Sequence, residues 1–440
     1  METLNNTKQS VNIFWFRRDL RLDDNHAFFE ALKSDNKVLP IFIFDKNILE
    51  SLTKDDARVT FIHETLQEMN CTLQNFYGSS IAMFHNTPEA VFKTLAETYN
   101  IDTVFTNRDY EPYAKTRDIE IQTLLKSYNI ELKTYKDHVI FETNEVTKKD
   151  GKPYLVYTPF MKTWKAKFRT LSLEHFDTSK HFDNLLQHTQ HPYLSLEGIG
   201  FSVSNQKIAP YKVTPTLIQD YEAQRNFPAK DATSKLGTHL RFGTVSIRKM
   251  VQKAISETNE IFWQELIWRE FFMQILWHFP ETLTLSFKPK YDAIAWRNNE
   301  AEFKLWCDGK TGYPLVDAGM RELNTTGFMH NRVRMLVGSF LCKHLLIDWR
   351  WGEAYFAEKL HDYEMASNVG NWQWVAGCGV DAAPYFRIFN PTTQIKKFDS
   401  DLEYIKKWVP EFQELTYPTP MVDHKEARER CLKTYKAALN

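Results

Sequence analysis

Five short runs rich in β-branched and aromatic residues, VNIFWF, VLPIFIF, SIAMFH, DTVFTN and IELKTY, lie between Val11 and Tyr135, and from Val213 onward no such run recurs. Helical spacing occupies the gaps, as in Asp56 to Phe76 and Pro88 to Tyr99. Strands that alternate with helices are joined by crossovers, and crossovers build a parallel sheet covered by helices. The N-terminal part therefore predicts an α/β domain with a doubly wound parallel sheet. The C-terminal part predicts a large all-α domain, because Val333, Leu336, Val337, Phe340, Leu341 and Leu345 form a stripe at three and four spacing, as a helix burying one face requires. Between them, Gly, Pro, His and Ser punctuate a weakly periodic stretch that reads as a connection. The expected division is 1–140, 141–211 and 212–440, in keeping with a chain of 440 residues that exceeds one ordinary core.

Charge and cysteine usage narrow the function classes. The formal net charge is -1 and the pI is near 6.9, so no global basic face exists and any nucleic-acid surface must come from local placement of arginines. Five cysteines (Cys71, Cys307, Cys342, Cys378, Cys431) are scattered and odd in number, without CxxC spacing. That pattern argues against a disulfide framework and against a zinc site. The N-terminus has no basic segment leading into a long apolar stretch, and no run elsewhere reaches membrane-spanning length. The expectation is a cytoplasmic, ordered protein with no membrane association and no metal.

Read residue by residue, the motifs leave alternatives open. No G-x-G-x-x-G follows the first strand, which removes the best support for dinucleotide-dependent hydride chemistry. The strand runs instead into Arg17-Arg18-Asp19-Leu20-Arg21-Leu22-Asp23-Asp24, and on composition alone such alternating charge is a solvated loop with local ion pairs. Thr233-Ser234-Lys235-Leu236-Gly237 is a hydroxyl-rich helix approach, equally suited to capping or to holding a pyrophosphate. Glu265 and Trp268 are three apart and share a helix face, which alone describes a core indole beside a surface carboxylate. Asn331, Arg334 and Met335 also face one way, whereas Arg332 is rotated from Arg334 by roughly 200°. Two arginines thus serve two surfaces.

Longer strings carry more information. FWFRRDLRLDDN, YTPFMKTW, TSKLGTHLRFGTVS, ELIWREFF, GKTGYPLVDAGMRELNTTGFMHNRVRM, DWRWGEAYF and NWQWVAGCGVDAAPYFRIFNP, in this order, resemble the photolyase and cryptochrome family over nearly the whole chain. The resemblance implies that the α/β domain is of the antenna type and that the helical domain binds FAD and DNA. It is strongest to class I photolyases, which repair cyclobutane pyrimidine dimers by light.

What the resemblance implies for single residues follows position by position. Glu265, Asn331, Met335 and Asn368 match catalytic positions, with Trp268 and Trp374 as walls of the cleft that receives the flipped dimer. Tyr221, Thr233, Ser234, Lys235, Leu236, Gly237, Arg269, Arg334, Asp362, Tyr363 and Glu364 match FAD contacts, and Asn368 stands beside the reactive flavin nitrogen. Trp296, Trp349 and Trp372 match an electron-transfer chain from the surface to the photoexcited flavin. Arg225, Arg332, Arg387 and Gln394 match contacts to the DNA backbone and its neighbourhood. Val369 departs from many bacterial relatives, which carry a second Asn there, and this touches the redox tuning of the flavin. Tyr113 and Ala114 stand where folate-binding relatives have an Asn-Glu pair, which speaks against a folate antenna and leaves a deazaflavin, another flavin or no second chromophore open.

The mechanism implied is electron donation from photoexcited reduced FAD to a flipped-out dimer by a monomeric enzyme. A (6-4) photolyase is disfavoured because Asn331 follows His330 where those enzymes have a second histidine. A cryptochrome that signals blue light without repair is the alternative, against which stand the full set Glu265, Trp268, Asn331, Met335, Trp374 and Asn368.

Overall fold

All five apolar runs are strands. In the computed structural model, which describes residues 8–187 and 193–440, β1 (Ser10–Phe16), β2 (Val38–Asp45), β3 (Ala82–Asn86), β4 (Asn100–Asn107) and β5 (Glu131–Tyr135) form one parallel sheet in the order β3-β2-β1-β4-β5. β1 lies between β2 and β4, with Phe14 opposite both Pro40 and Phe105. This order reverses direction at β1, as the doubly wound expectation required. Helices Ala57–Tyr77 and Pro88–Thr98 lie where the spacing placed them, the first ended by Gly78 in the left-handed region (φ 60°). Two apolar layers flank the sheet, one around Phe14, Phe16 and Phe28 and one around Ile13, Trp15 and Phe92. β1 and β2 are buried on both faces and read as continuous apolar runs, whereas edge strands β3 and β5 carry polar and half-buried positions.

The chain divides into two compact units. One consists of Met1–Glu142, Ser172–Lys207 and His239–Met250, the other of Thr143–Leu171, Ile208–Thr238 and Val251–Asn440. The stretch expected as a connector is thus shared between them, and His239–Met250, expected with the helical part, packs in the first unit.

Charge explains that placement and corrects the composition-only reading of the arginine-aspartate string after β1. Asp24 and Asp137 are each 1% exposed. Arg21 Nη2 donates to both oxygens of Asp137 at 2.7 and 2.6 Å. Arg248 reaches the same carboxylate at 2.8 Å and Asp24 at 3.1 Å, while the Ser246 hydroxyl donates to Asp24. Burial pushes the Asp137 carboxyl up, but Arg21 and Arg248 outweigh it and hold it well below its usual range. The string is a buried network that needs an arginine from position 248, not a solvated loop.

The second unit is helical in all its described regular elements. Its core gathers Trp306, Phe340, Trp349, Phe356 and Trp372. The stripe from Val333 to Leu345 is buried throughout, first along helix Asn331–Ser339 and then along a wider π-helical turn, Phe340–His344. Among the described residues no helix is long and apolar enough to cross a membrane.

Candidate functional site

Two helices of the second unit build the walls of one cavity. Helix Asn331–Ser339 begins there because His330 caps it: His330 Nδ1 accepts from the Arg332 amide at 3.1 Å. The His330 amide is held in turn by Glu322, which also accepts from Tyr404 Oη at 2.6 Å. Burial, then the charges of Arg334 and Arg332, push the His330 imidazole down to about 4, so it caps as a neutral acceptor. Asn331, Arg334, Met335 and Gly338 then face the cavity at offsets of three, four and seven. Helix Met365–Ala376 supplies Ser367, Asn368, Asn371, Trp372, Trp374 and Val375, the same periodicity from the opposite side. The loop between Leu360 and Glu364 closes the rim with Asp362, Tyr363 and Glu364. The enclosed volume is about 110 Å³, and the cavity opens to solvent at its mouth.

Polar groups in this cavity are anchored from behind. Arg334 grips Asp362 with two parallel hydrogen bonds of 3.1 and 2.9 Å and also donates to the Met329 carbonyl at 2.7 Å. Asn368 Nδ2 donates to the Glu353 carbonyl at 3.1 Å and to its carboxylate at 2.9 Å. The amide is fixed, and its own carbonyl is left for the cavity. Burial raises the Glu353 carboxyl, while hydrogen bonds from Asn368 and Tyr363 act against the rise. Arg269 lies 3.9 Å from Glu364.

The segment Thr233–Gly237 reaches the same place. A side chain on Gly237 would put its Cβ 2.9 Å from Asp362 Cβ, so only glycine lets the segment lie against the Arg334–Asp362 pair. Lys235 adopts a left-handed turn (φ 51°), and Ser234 Oγ accepts from the Leu236 amide at 3.3 Å. A flat ring system with a hydrogen-bonding edge and an anionic tail, as in FAD, fits these surroundings. Met335, Trp372, Trp374 and Phe356 offer apolar walls, fixed amides offer the edge, and a hydroxyl-bearing turn lies beside an arginine.

A second cluster of the same unit carries the expected lesion and DNA residues. Trp268, half-buried on helix Ile261–His278, stacks on Tyr157 with ring centroids 3.5 Å apart and planes 7° apart. Glu265, one turn earlier, forms an ion pair with Arg225. Burial and then the Glu265 charge push the neighbouring Tyr221 phenol up to about 12. Arg332 turns away from Arg334, as its phase demands, and donates to Asn226 Oδ1 at 2.5 Å while lying 4.4 Å from the centre of the Phe398 ring. Arg387, exposed, lies over Trp374 at 5.7 Å. Burial lowers the Arg332 guanidinium, and the charges of Arg225 and Arg387 lower it further, so the three arginines feel one another.

Other expectations lie elsewhere. Gln394 is half-buried on helix Pro391–Phe398 and lines no part of the cavity. Trp349 is 1% exposed, with Arg350 over its ring, and Trp296 meets Tyr435 edge-on at 5.9 Å. The ring contacts of Trp372 are Phe356 at 5.0 Å and Trp306 at 6.2 Å. Val369 does not line the cavity that Asn368 lines: it faces a smaller apolar pocket with Phe272 and Gly370, on another side of the helix. Any effect of the missing second Asn is therefore indirect. Tyr157 and Glu353 went unassigned in the sequence. Both stand in strings that carry the resemblance, Tyr157 in YTPFMKTW and Glu353 in DWRWGEAYF, but neither string marks them individually.

Known proteins are similar to this chain along nearly its whole length. A family model described as the FAD binding domain of DNA photolyase matches residues 262–416, and one described as DNA photolyase matches residues 12–180. A deoxyribodipyrimidine photo-lyase of Agrobacterium fabrum is 36% identical, with 98% of each chain covered. The crystal structure of a bacterial class III photolyase from Agrobacterium tumefaciens superposes with a TM-score of 0.87 at 34% identity, covering 100% of this chain and 99% of that one. An archaeal photolyase from Sulfolobus tokodaii, solved with two FAD molecules, superposes with a TM-score of 0.82 at 33% identity over 98% and 100% of the two chains. The chain belongs to the photolyase and cryptochrome family, and within it to the photolyases, FAD-binding lyases of DNA repair.

Proposed function

We propose that this photolyase repairs cyclobutane pyrimidine dimers in DNA, with the dimer flipped into the cavity walled by Asn331, Met335 and Trp374. The observation that carries the reading is convergence. One cavity is lined by residues expected to face the lesion (Asn331, Met335, Trp374) and by residues expected to hold the cofactor (Arg334, Asp362, Tyr363, Glu364, Asn368). Reduced FAD, held by Arg334, Asp362, Tyr363, Glu364 and Asn368, would supply light-driven one-electron chemistry to the dimer.

The chain's own residues do the rest. Arg334 and Asp362, locked to each other, hold the cofactor's place. Asn368, steadied by Glu353, presents a fixed carbonyl to the cofactor ring. Trp268, backed by Tyr157, offers an aromatic face to the extruded bases, a contact that contributes about 1–3 kcal/mol per base and offsets much of the unstacking cost. Glu265 accepts hydrogen bonds from the base edges. Arg225, Arg332 and Arg387 hold phosphates, which position the strand without reading sequence. Trp372, at the cavity wall, with Trp349 and Trp296, would carry electrons from the surface to an oxidised cofactor. An antenna chromophore in the α/β unit would be of flavin or deazaflavin type, because Tyr113, which donates to Asp45 at 2.6 Å, stands at a folate-contacting position.

The test is anaerobic blue illumination of the reduced enzyme with an oligonucleotide carrying one thymine cyclobutane dimer. Recovery of thymine absorbance over many turnovers, absent in the dark, is the expected result. No recovery with reduced FAD bound would overturn the reading and favour a signalling role.

A further inference from the structure

Among the three clustered arginines only Arg225 has a carboxylate partner within the described residues, and that partner is Glu265, the residue assigned above to the base edges. Arg332 is held by the neutral amide of Asn226, and Arg387 lies over the rings of Trp374 and Phe389. The Arg225 and Glu265 side chains are 31% and 35% exposed. The pair is open to solvent, and a phosphate can reach it. Burial opposes the Arg225 charge, yet the Glu265 carboxylate more than offsets it and raises the guanidinium above its ordinary value.

We propose that Glu265 is an internal competitor for the DNA backbone: by occupying Arg225 it weakens binding to undamaged DNA, and only a flipped lesion relieves the competition. The inference rests on the function proposed above and adds a specificity-determining role to it. When Arg225 turns to a phosphate, Glu265 loses its cation and is left, partly desolvated, facing a polyanion. Stacked, undamaged bases offer it nothing. An extruded pyrimidine pair offers N–H donors, which satisfy the carboxylate in place of Arg225. The penalty is therefore present with undamaged DNA and removed with damaged DNA, and discrimination is the difference between the two.

The experiment is a double-substitution cycle on the holoenzyme with undamaged duplex DNA, read by fluorescence anisotropy across a salt series. Exposed ion pairs are worth about 0.2–1 kcal/mol, so Glu265→Gln should tighten undamaged binding by about 1.4- to 5-fold. It should also steepen the dependence of log affinity on log salt by about 0.9, one further phosphate contact. In an Arg225→Ala background Glu265→Gln should change neither quantity. Unchanged undamaged affinity in Glu265→Gln would overturn the proposal, and so would tightening that persists without Arg225, since Glu265 would then act by repelling DNA directly. Repair of the thymine dimer by the unsubstituted enzyme is scored separately. A flat cycle with repair intact removes the competition and leaves the enzymatic reading standing, whereas absent repair removes that reading itself.

Discussion

The arginines of the two units stand in opposite surroundings. In the first, Arg21 and Arg248 have side chains 9% and 8% exposed and meet two aspartates, Asp24 and Asp137, each 1% exposed. Two guanidiniums face these two carboxylates, which are themselves closed off from water, with His175 3.5 Å from Asp24 at the solvent edge. In the second, Arg225, Arg332 and Arg387 have one carboxylate partner among them within the described residues, Glu265 on Arg225, and the ring systems around them carry no charge. Three against one leaves a local excess of two positive charges, partly in solvent. A balanced buried set holds a fold, because losing one member strands another in a medium that cannot solvate it. An unbalanced, reachable set is a demand for an anion from outside. The residue type is the same in both places, and the surroundings decide its work.

The largest effect that would break this comparison is on stability. Arg248→Ala leaves Asp24 and Asp137 short of a partner and should destabilise the first unit by about 3–5 kcal/mol, read as the shift of its unfolding transition in urea. A loss below about 1 kcal/mol would mean the network is no more than a solvated loop. Acid gives the same test with a defined sign. The Asp137 carboxyl is held below its unfolded value of about 3.9. Its contribution is therefore complete above that pH and lost as pH falls towards the lower folded value. The urea midpoint of Arg248→Ala should accordingly fall less steeply below pH 4 than that of the unsubstituted chain.

Next in size is Trp268→Ala, which tests the other side. Loss of the stacking face should cost about 1–3 kcal/mol, a 5- to 150-fold drop in affinity for dimer-containing DNA by anisotropy. Affinity for undamaged DNA and the flavin absorbance should stay as they are. Equal weakening on both DNAs would show that Trp268 supports the arginine face rather than the lesion.

How much of this was legible beforehand follows the range of the interactions. The sheet was, because strands buried on both faces, such as β1 and β2, announce themselves as unbroken apolar runs. So was the opposed facing of Arg332 and Arg334, since helix phase is a local property. The assignment of His239–Met250 to the first unit was not, because it hangs on Arg248 meeting Asp24 and Asp137 across more than a hundred positions, and no spacing rule reaches that far. Glu353 behind Asn368 and Tyr157 behind Trp268 were hidden for the same reason. Both support a recognised residue from another element. That Val369 and Asn368 line different pockets follows from helix phase, since neighbours on a helix point about 100° apart.

The smallest expected effect is the one most specific to the comparison. Arg332 is as much an arginine as Arg248, yet its truncation should leave stability within about 0.5 kcal/mol of the unsubstituted chain. Its guanidinium donates a hydrogen bond to Asn226 Oδ1 and makes a ring contact with Phe398. Against these stand a buried Nε without a hydrogen-bond partner and the repulsion of Arg225 and Arg387. Removing the side chain gives up the first two and relieves the last two, so the terms cancel in the free protein. They do not cancel on DNA, where the same repulsion is what draws a phosphate in. Arg332→Ala should therefore weaken binding to damaged and undamaged DNA alike, with a salt slope shallower by about one, while the urea midpoint stays put. A clear drop in that midpoint would make Arg332 a structural arginine like Arg248 and erase the distinction between the two units.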